Sequence, residues 1–369
     1  QLSPDLATVC SIHTDDRFPD VDGARIAIIG LPENRGIAGS REVGSDLTKF
    51  RHHFYKLKKH AADLQIVDLG DIIPGATIED TYALVTEIGK ELIRQAVIPV
   101  FIGGSQDLTV AMYRSFASMN QLINMVNIDS RIDLGAPGAA MDSSTWLGHL
   151  VMEKPNYLFN YSNIGYQSYF VGSEAVDLMR KLYFETFRLG QVRSDISEIE
   201  PVIRAADLIT TDLSSIRQAD GPASTKPSPN GFSGEELCQA MMYAGLSDRV
   251  SSLGIFEYDE KADHTGQSAH LMAQMVWYFA EGVSLRKDDL PGEDEESFTR
   301  YRVTIPEQDE ELVFIKNRQT GRWWIELPVD GKNARFSRHH YLPCSIRDYE
   351  QACRNEVPER WWQAIHKIY

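Results

Sequence analysis

Short apolar runs alternate with longer amphipathic stretches between about residues 24 and 284. Several runs are apolar at consecutive positions, which is typical of parallel strands that helices cover on both faces. The stretches between them carry apolar residues at helical spacing. The predicted strands are 24–30, 64–70, 97–103, 123–129, 163–166, 207–212 and 252–258. The predicted helices are 45–60, 78–95, 108–119, 172–181, 234–243 and 268–281.

This alternation predicts an α/β fold, a three-layer α/β/α arrangement around a mainly parallel sheet. Ligands of such sheets bind beyond the carboxyl ends of the strands. The loops after Gly103, Asp129 and Asp212 are therefore the first places to look for a functional site.

The pattern changes after residue 285. The stretch 286–297 is acidic and contains a Pro and a Gly, which is typical of an exposed linker. Three short strand candidates follow at 301–305, 312–316 and 323–327, the last two flanking a turn, and the chain ends in an aromatic-rich helical stretch. We expect an N-terminal segment at 1–22, an α/β domain at 23–285, and an acidic linker with a small β-hairpin and helix extension at 286–369.

Charge and composition narrow the class of protein. The chain has 369 residues, and its 53 acidic against 37 basic side chains give a formal net charge of −16, which argues against nucleic acid as a partner. No apolar run approaches the roughly 18 residues that cross a bilayer, and the first residues lack the features of a secretory signal. The four cysteines form no CxxC pair, which suggests reduced thiols. We predict a cytoplasmic protein that binds neither nucleic acid nor membrane.

Three aspartates lie at or just after the ends of two predicted strands. Asp129 and Asp133 stand in NIDSRID, and Asp212 stands in TTDLSS. Carboxylates that meet at one sheet edge suit a hard divalent cation, but aspartates at strand ends also serve as helix caps. The Gly-Gly-Ser at 103–105 follows a strand and opens a helix, where an anion could bind. An unrelated nucleotide-binding protein is therefore an alternative hypothesis, although the phosphate-binding motifs GxGxxG and GxxxxGK[ST] are absent.

A series of short motifs runs through the predicted α/β domain. The motifs are Asp68-Leu69-Gly70-Asp71, Gly103-Gly104-Ser105-Gln106-Asp107, Asp129-Ser130-Arg131-Ile132-Asp133, Asn163-Ile164-Gly165-Tyr166, Asp212-Leu213-Ser214, Gly231-Phe232-Ser233 and Glu257. Their order resembles that of the ureohydrolases, the family of arginase, agmatinase and formimidoylglutamase, over about residues 23–284. The resemblance implies an arginase-like fold, a homo-oligomer, and hydrolysis of guanidino or formimino groups by a pair of Mn²⁺ ions.

The resemblance also implies six metal ligands, two His and four Asp, and this sequence departs at three of them. Gln106 replaces one His, Arg131 replaces the other, and Ser214 replaces one Asp. A guanidinium has no acceptor atom and cannot ligate a metal. We expect Arg131 to pair with Asp129 or Asp212 instead, because its planar fork fits a carboxylate.

Three aspartates remain at the metal positions. With the amide oxygen of Gln106, Asp129, Asp133 and Asp212 would form a degenerate site for one divalent cation (Mg, Ca or Mn) or for none. We do not expect an Mn pair, because the imidazole ligands are gone. A water on one metal at most would be poorly acidified, so we expect little or no arginase-like hydrolysis.

The resemblance assigns ligand contacts to three further residues. Glu257 stands at the late glutamate that meets the substrate, where it would hold a guanidinium or an amine. Ser143 and Ser144 stand where family members contact the amino-acid end of the substrate. A small guanidino or amino compound is therefore the expected ligand.

Three functions from different classes remain open. The first is a catalytically inactive ureohydrolase-fold protein with a binding or assembly role, whose C-terminal extension meets a protein partner. The second is a single-metal hydrolase of a C–N bond other than a peptide bond. The third is the nucleotide-binding protein. Because three of the six metal ligands are replaced, the sequence favours the first of these functions, the inactive protein.

Overall fold

Nine strands form one parallel sheet at the centre of the protein. The computed structural model describes residues 4–37, 40, 44, 47–60, 62–292, 296–306, 310–329 and 334–368. In chain order the strands of this sheet are β1 (Ser11–Ile12), β2 (Ile26–Gly30), β3 (Ile66–Asp71), β4 (Ile98–Ile102), β5 (Ile123–Ile128), β6 (Leu158–Tyr166), β7 (Glu185–Arg188), β8 (Leu208–Asp212) and β9 (Ser252–Phe256). Across the sheet they lie in the order β1-β3-β2-β4-β9-β8-β5-β6-β7.

Helices connect these strands and pack on both faces of the sheet. They are α1 (Thr48–Phe54), α2 (Ile78–Arg94), α3 (Thr109–Ala117), α4 (Trp146–Met152), α5 (Ser173–Lys181), α6 (Leu189–Ser194), α7 (Glu200–Arg204), α8 (Gly234–Leu246) and α9 (Gln267–Ser284). Strand side chains alternate between the faces. Ile26 and Ile28 accordingly belong to one hydrophobic core, while Ala27 and Ile29 belong to the other. The predicted three-layer α/β/α fold is confirmed.

The sequence pattern missed two strands and shortened a third. β1 and β7 lie at the two edges of the sheet and are short, and β7 is only partly buried, so neither forms an apolar run. β6 begins at Leu158 rather than at 163, because its first half is only partly buried and carries polar residues. The central strands are buried on both faces and are therefore largely apolar, so the hydrophobic pattern predicts them correctly.

A second, antiparallel sheet lies in the C-terminal part of the chain. It contains β10 (Phe298–Ile305), β11 (Glu310–Asn317), β12 (Trp323–Glu326) and β13 (Tyr341–Cys344), in that order, followed by α10 (Ile346–Cys353) and α11 (Glu359–Ile368). The predicted turn between β11 and β12 is present, but the sheet has four strands rather than a hairpin. β13 contains Pro343 and lies at an edge, where a missing N–H is tolerated. Residues 293–295 of the predicted linker lie outside the described residues.

The second sheet docks on the α/β unit through a buried arginine. Arg204, at the end of α7, donates from Nη2 to the carbonyl oxygens of Trp323 (3.1 Å) and Cys344 (3.2 Å). Its Nε donates to Glu200 (2.8 Å), and its guanidinium lies 4.6 Å from the centre of the Trp324 ring. One side chain thus links α7 to β12 and β13.

None of the helices in the described ranges combines the length and the apolar character that a bilayer crossing demands. The four cysteines are free thiols.

Replacing Arg204 with Met should loosen this attachment. The change leaves the two backbone carbonyls without their charged donor, so we expect a loss of about 3 kcal/mol in the free energy of unfolding. Thermal or urea unfolding followed by tryptophan fluorescence measures it. Arg180→Met, which removes an exposed ion pair with Asp177, is the control and should change stability by at most about 1 kcal/mol. Equal effects of the two substitutions would contradict the role of Arg204.

Candidate active site

The candidate residues come from the carboxyl ends of four neighbouring strands. Gln106 follows β4, Asp129 follows β5, Asp212 is the last residue of β8, and Glu257 follows β9. β4, β9, β8 and β5 are adjacent in the sheet. Parallel strands direct their carboxyl ends to the same edge, so residues far apart in sequence meet there.

Asp129 lies at the centre of this cluster and is fully buried. Its Oδ1 accepts hydrogen bonds from the backbone N–H of Arg131 (2.9 Å) and from the hydroxyl of Ser214 (3.3 Å). The negative charge of the neighbouring Asp133 adds to burial in raising the pKa of Asp129.

The other two aspartates are held from separate elements. Asp133, which is 5% exposed, accepts from the indole N–H of Trp146 on α4 at 3.1 Å. Asp212 accepts from the backbone N–H of Ser214 at 2.5 Å. The Ser214 hydroxyl, which stands where the family has an aspartate, lies 3.0 Å from the hydroxyl of Ser130. Ser214 therefore completes a buried hydrogen-bond network with no added charge.

The side-chain amide of Gln106 leaves one acceptor atom unused. Its Nε2 donates to Asn127 Oδ1 (3.0 Å) and to Thr109 Oγ1 (3.1 Å), while its Oε1 is buried without a partner. The orientation follows from Asn127, because the Nδ2 of Asn127 donates to Asp129 and its Oδ1 therefore faces Gln106. A buried acceptor without a donor is a place for a ligand donor or a cation.

Arg131 does not make the predicted ion pair. Its guanidinium lies 4.0 Å from the centre of the Phe170 ring, and its Nη1 donates to Ser130 Oγ at 3.1 Å. Among the described residues no ion pair joins it to Asp129 or Asp212. Its backbone N–H bonds Asp129 and its guanidinium reaches the hydroxyl of Ser130 instead, so the expectation that Arg131 pairs with these carboxylates is wrong.

Lys226, which the sequence does not single out, is a half-buried lysine on the loop before α8. The negative charges of Glu257, Asp133, Asp212 and Asp129 favour its protonated form. Burial opposes its charge, but the four carboxyl groups outweigh burial and raise the pKa of Lys226. A faint signal was present, because Lys226 is the only Lys or Arg between positions 217 and 249.

The carboxyl groups hold their protons more tightly than usual. Burial, aided by the charge of Asp212, raises the pKa of Asp133 to about 6. Burial and the neighbouring Asp129 raise the pKa of Asp212 to about 7, and burial and Asp212 raise that of Glu257 to about 7. The pKa of Asp129 is raised well above its ordinary value for the same reasons, burial first and Asp133 second. Near neutral pH the cluster therefore carries less than its full negative charge.

Glu257 is held rigidly, whereas the two predicted serines face elsewhere. Glu257 accepts from the backbone N–H of Gln106 at 2.9 Å and from the hydroxyl of Thr225. Ser143 donates its backbone N–H to the carbonyl of Gly36 (2.9 Å), and Ser144 donates both its N–H (2.8 Å) and its hydroxyl (2.7 Å) to Asp142. The backbone of Ser143 thus joins its loop to the loop after β2, and Ser144 is bound to Asp142 in its own loop.

The donor set does not fit a pair of manganese ions. An amide, a guanidinium turned towards Phe170 and a hydroxyl stand at three of the six ligand positions. Among the described residues, no group of three or more His, Cys, Asp or Glu side chains is arranged to hold a metal ion. A second Mn²⁺ would have no nitrogen ligand and too few oxygen ligands.

Comparison with known proteins identifies the scaffold. A model of the arginase family matches residues 24–281. The formimidoylglutamase of Halobacterium salinarum is 24% identical over 286 residues, which cover 72% of this chain and 90% of that protein. The formimidoylglutamase of Staphylococcus haemolyticus is 26% identical over 258 residues, which cover 68% and 82%.

Solved structures show the same architecture. The formiminoglutamase of Trypanosoma cruzi with two Mn²⁺ ions has a TM-score of 0.66 at 20% identity, covering 77% of this chain and all of that one. The formimidoylglutamase of Bacillus subtilis has a TM-score of 0.67 at 17% identity, covering 77% and 93%. The arginase-like fold expected from the motif order is thus confirmed.

These relatives overturn one expectation. The ligand losses favour a protein without catalytic activity, but relatives that cover most of the chain bear the names of enzymes. The inference from three lost ligands to inactivity is therefore wrong, because the loss of metal ligands was equated with the loss of chemistry.

Replacing Glu257 with Gln should make stability less sensitive to pH. Because the pKa of Glu257 is raised to about 7, the folded state holds a proton that the unfolded state releases near pH 4.5. Its share of stability is complete below about pH 4.5 and is lost as pH rises to about 7. Relative to wild type, Glu257→Gln should gain roughly 2–4 °C in Tm between pH 5 and pH 8.

Differential scanning calorimetry at several pH values tests this expectation. Glu350→Gln, at an exposed position on α10, is the matched control and should leave the pH profile unchanged. A Glu257→Gln profile parallel to that of wild type would show that Glu257 is already ionised at low pH.

Proposed function

Because the chain belongs to the arginase family, we propose that it is a hydrolase of a C–N bond other than a peptide bond, with a formimino compound as substrate. The observation that carries the proposal is the cluster of four buried carboxyl groups at the sheet edge. The names of the relatives support formimidoylglutamate as the first compound to test.

The charge of the cluster suits a cationic substrate group. A formimino group attached to nitrogen is an amidinium, a planar cation with several N–H donors. The four carboxyl groups give the site a negative charge that attracts this cation, and Gln106 Oε1 is a buried acceptor without a donor. Glu257, which already accepts from two protein donors, would hold the amidinium by charge more than by new hydrogen bonds.

Asp133 is the candidate general base. It is the most exposed of the four carboxyl groups, and its pKa of about 6 leaves it mostly ionised at pH 7. Ionised Asp133 would take a proton from a water molecule as the water oxygen attacks the formimino carbon. The proton then passes to the leaving nitrogen, the C–N bond breaks, and an amine and formamide result.

Hydrolysis by the purified full-length chain tests the proposal. We expect release of formamide and glutamate from formimidoylglutamate, and a loss of about 10²–10⁴-fold in kcat for Asp133→Asn, because the amide cannot accept the proton. Asp177→Asn, at an exposed ion pair on α5, is the control and should keep wild-type activity. Assays run with and without added Mn²⁺ separate activity from metal supply.

The proposal fails if neither formimino nor guanidino compounds turn over above the uncatalysed rate under any of these conditions. If the Asp133→Asn variant is as active as wild type, the protein is still a hydrolase, but Asp133 is not its general base.

A further inference from the structure

The guanidinium of Arg131 is held beside the carboxyl cluster by contacts on two sides. It lies 4.0 Å from the centre of the Phe170 ring, and its Nη1 donates to Ser130 Oγ at 3.1 Å. The backbone of Arg131 is fixed as well, because Asn163 Nδ2 donates to its carbonyl at 2.8 Å and its N–H donates to Asp129 Oδ1 at 2.9 Å. The direction of this long side chain is therefore set by its surroundings.

A chain of hydrogen bonds joins this guanidinium to Asp129. The hydroxyls of Ser130 and Ser214 lie 3.0 Å apart, and the Ser214 hydroxyl donates to Asp129 Oδ1 at 3.3 Å. Since a hydroxyl has one proton and that of Ser214 is used on Asp129, the Ser130 hydroxyl must donate to Ser214. Ser130 then accepts from Arg131. Arg131 and Ser214, at two of the three altered metal positions, thus belong to one network.

The exposure of the side chains changes along this chain of hydrogen bonds. Ser130 and Ser214 are fully buried, whereas Arg131 is partly exposed and Phe170 is 39% exposed. The loop of Phe170 follows β6 and is joined to the Ser130 carbonyl by the backbone N–H of Gln167 at 2.9 Å. Arg131 therefore lies on the solvent side of the cluster, where an incoming molecule meets it.

Most donors of this guanidinium are left for a ligand. Within the described part of the chain no carboxylate pairs with Arg131, and Ser130 is the one acceptor that its guanidinium meets. A guanidinium has five N–H donors in a planar fork that matches a carboxylate. Because the stack on Phe170 already holds the fork in one orientation, a ligand that binds to it costs little conformational entropy.

We propose that Arg131 binds a carboxylate of the substrate and makes the enzyme selective for N-formimino amino acids over formimino and guanidino compounds that have no carboxylate. This inference rests on the proposed function. The four carboxyl groups of the cluster attract an amidinium but repel a carboxylate on the same molecule. A substrate that carries both groups therefore needs a cation outside the cluster, and Arg131 is in that position.

The test is a calorimetric titration of four full-length proteins with two probes. The proteins are wild type, Arg131→Met, Arg131→Lys and the control Arg180→Met, which removes an exposed ion pair with Asp177. Met retains an apolar stem beside Phe170 without the charge, whereas Lys retains the charge without the planar fork. The probes are L-glutamate and its diamide, in which both carboxylates are neutral amides. Thermal unfolding shows that each variant is folded.

We expect wild type to bind L-glutamate and to bind the diamide at least about 10-fold more weakly. Arg131→Met should lower the affinity for L-glutamate about 10–100-fold, because hydrogen bonds between charged groups are lost. Arg131→Lys should lose less, and Arg180→Met should bind as wild type does. If Arg131 has a structural role alone, the Met substitution lowers Tm but leaves the affinity of the folded protein for L-glutamate unchanged.

Kinetics give a second readout. Arg131→Met should raise KM for formimidoylglutamate about 10–100-fold and change kcat little, because the carboxylate is bound equally well before and during the reaction. With formamidine, an amidinium without a carboxylate, wild type and Arg131→Met should have the same KM.

Wild-type protein that fails to bind L-glutamate, or that binds the diamide as tightly, overturns the proposal, and this result needs no variant to fold. A folded Arg131→Met protein with wild-type affinity for L-glutamate overturns it as well. If L-glutamate binds through Arg131 while formimino and guanidino compounds stay intact, the proposed function fails and the carboxylate site stands. If formimidoylglutamate is hydrolysed with the same KM by wild type and Arg131→Met, the proposed function stands and the role of Arg131 fails.

Discussion

Four carboxyl groups lie buried side by side where four parallel strands end, and their mutual repulsion is the constraint that shapes this part of the molecule. A carboxylate removed from water is costly unless a proton, a hydrogen-bond donor or a cation compensates it. Protons and hydrogen-bond donors supply this compensation. Burial raises the pKa of all four carboxyl groups, so that they retain protons more readily, and backbone and hydroxyl donors meet Asp129 and Asp212.

The scaffold that imposes this arrangement is that of metal-dependent enzymes, such as the manganese-bound formiminoglutamase that shares its fold. Fold similarity carries no chemistry by itself, because function depends on the side chains placed on the scaffold. In this chain the strand ends are placed as in that fold, but the side-chain donors at them are different. Replacement of two His positions by Gln106 and Arg131 removes the nitrogen ligands, and Ser214 removes a charge. No imidazole nitrogen remains among these donors, which is unfavourable for a pair of Mn²⁺ ions.

The C-terminal extension is stabilised in a different way from the carboxyl cluster. Its four-stranded sheet and two helices enclose a small core of their own, in which Phe314, Trp323 and Trp361 are buried. A core of that size is marginal alone. Arg204 joins it to α7 by hydrogen bonds to the backbone of β12 and β13. The extension is therefore a structural part of the molecule, fastened on the side of the α/β unit to which α7 belongs.

Amino-acid sequence alone determined the layers, most of the central strands and the positions of Asp129, Asp133, Asp212 and Glu257. Burial on both faces forces a strand such as β2 to be apolar throughout, and the motif order marks the strand ends. Edge strands such as β7 are half exposed, so their sequences show no apolar run. The direction of a long charged side chain depends on contacts across loops that no local pattern encodes. Tertiary structure alone therefore decided that Arg131 stacks on Phe170 and that Thr225 donates to Glu257.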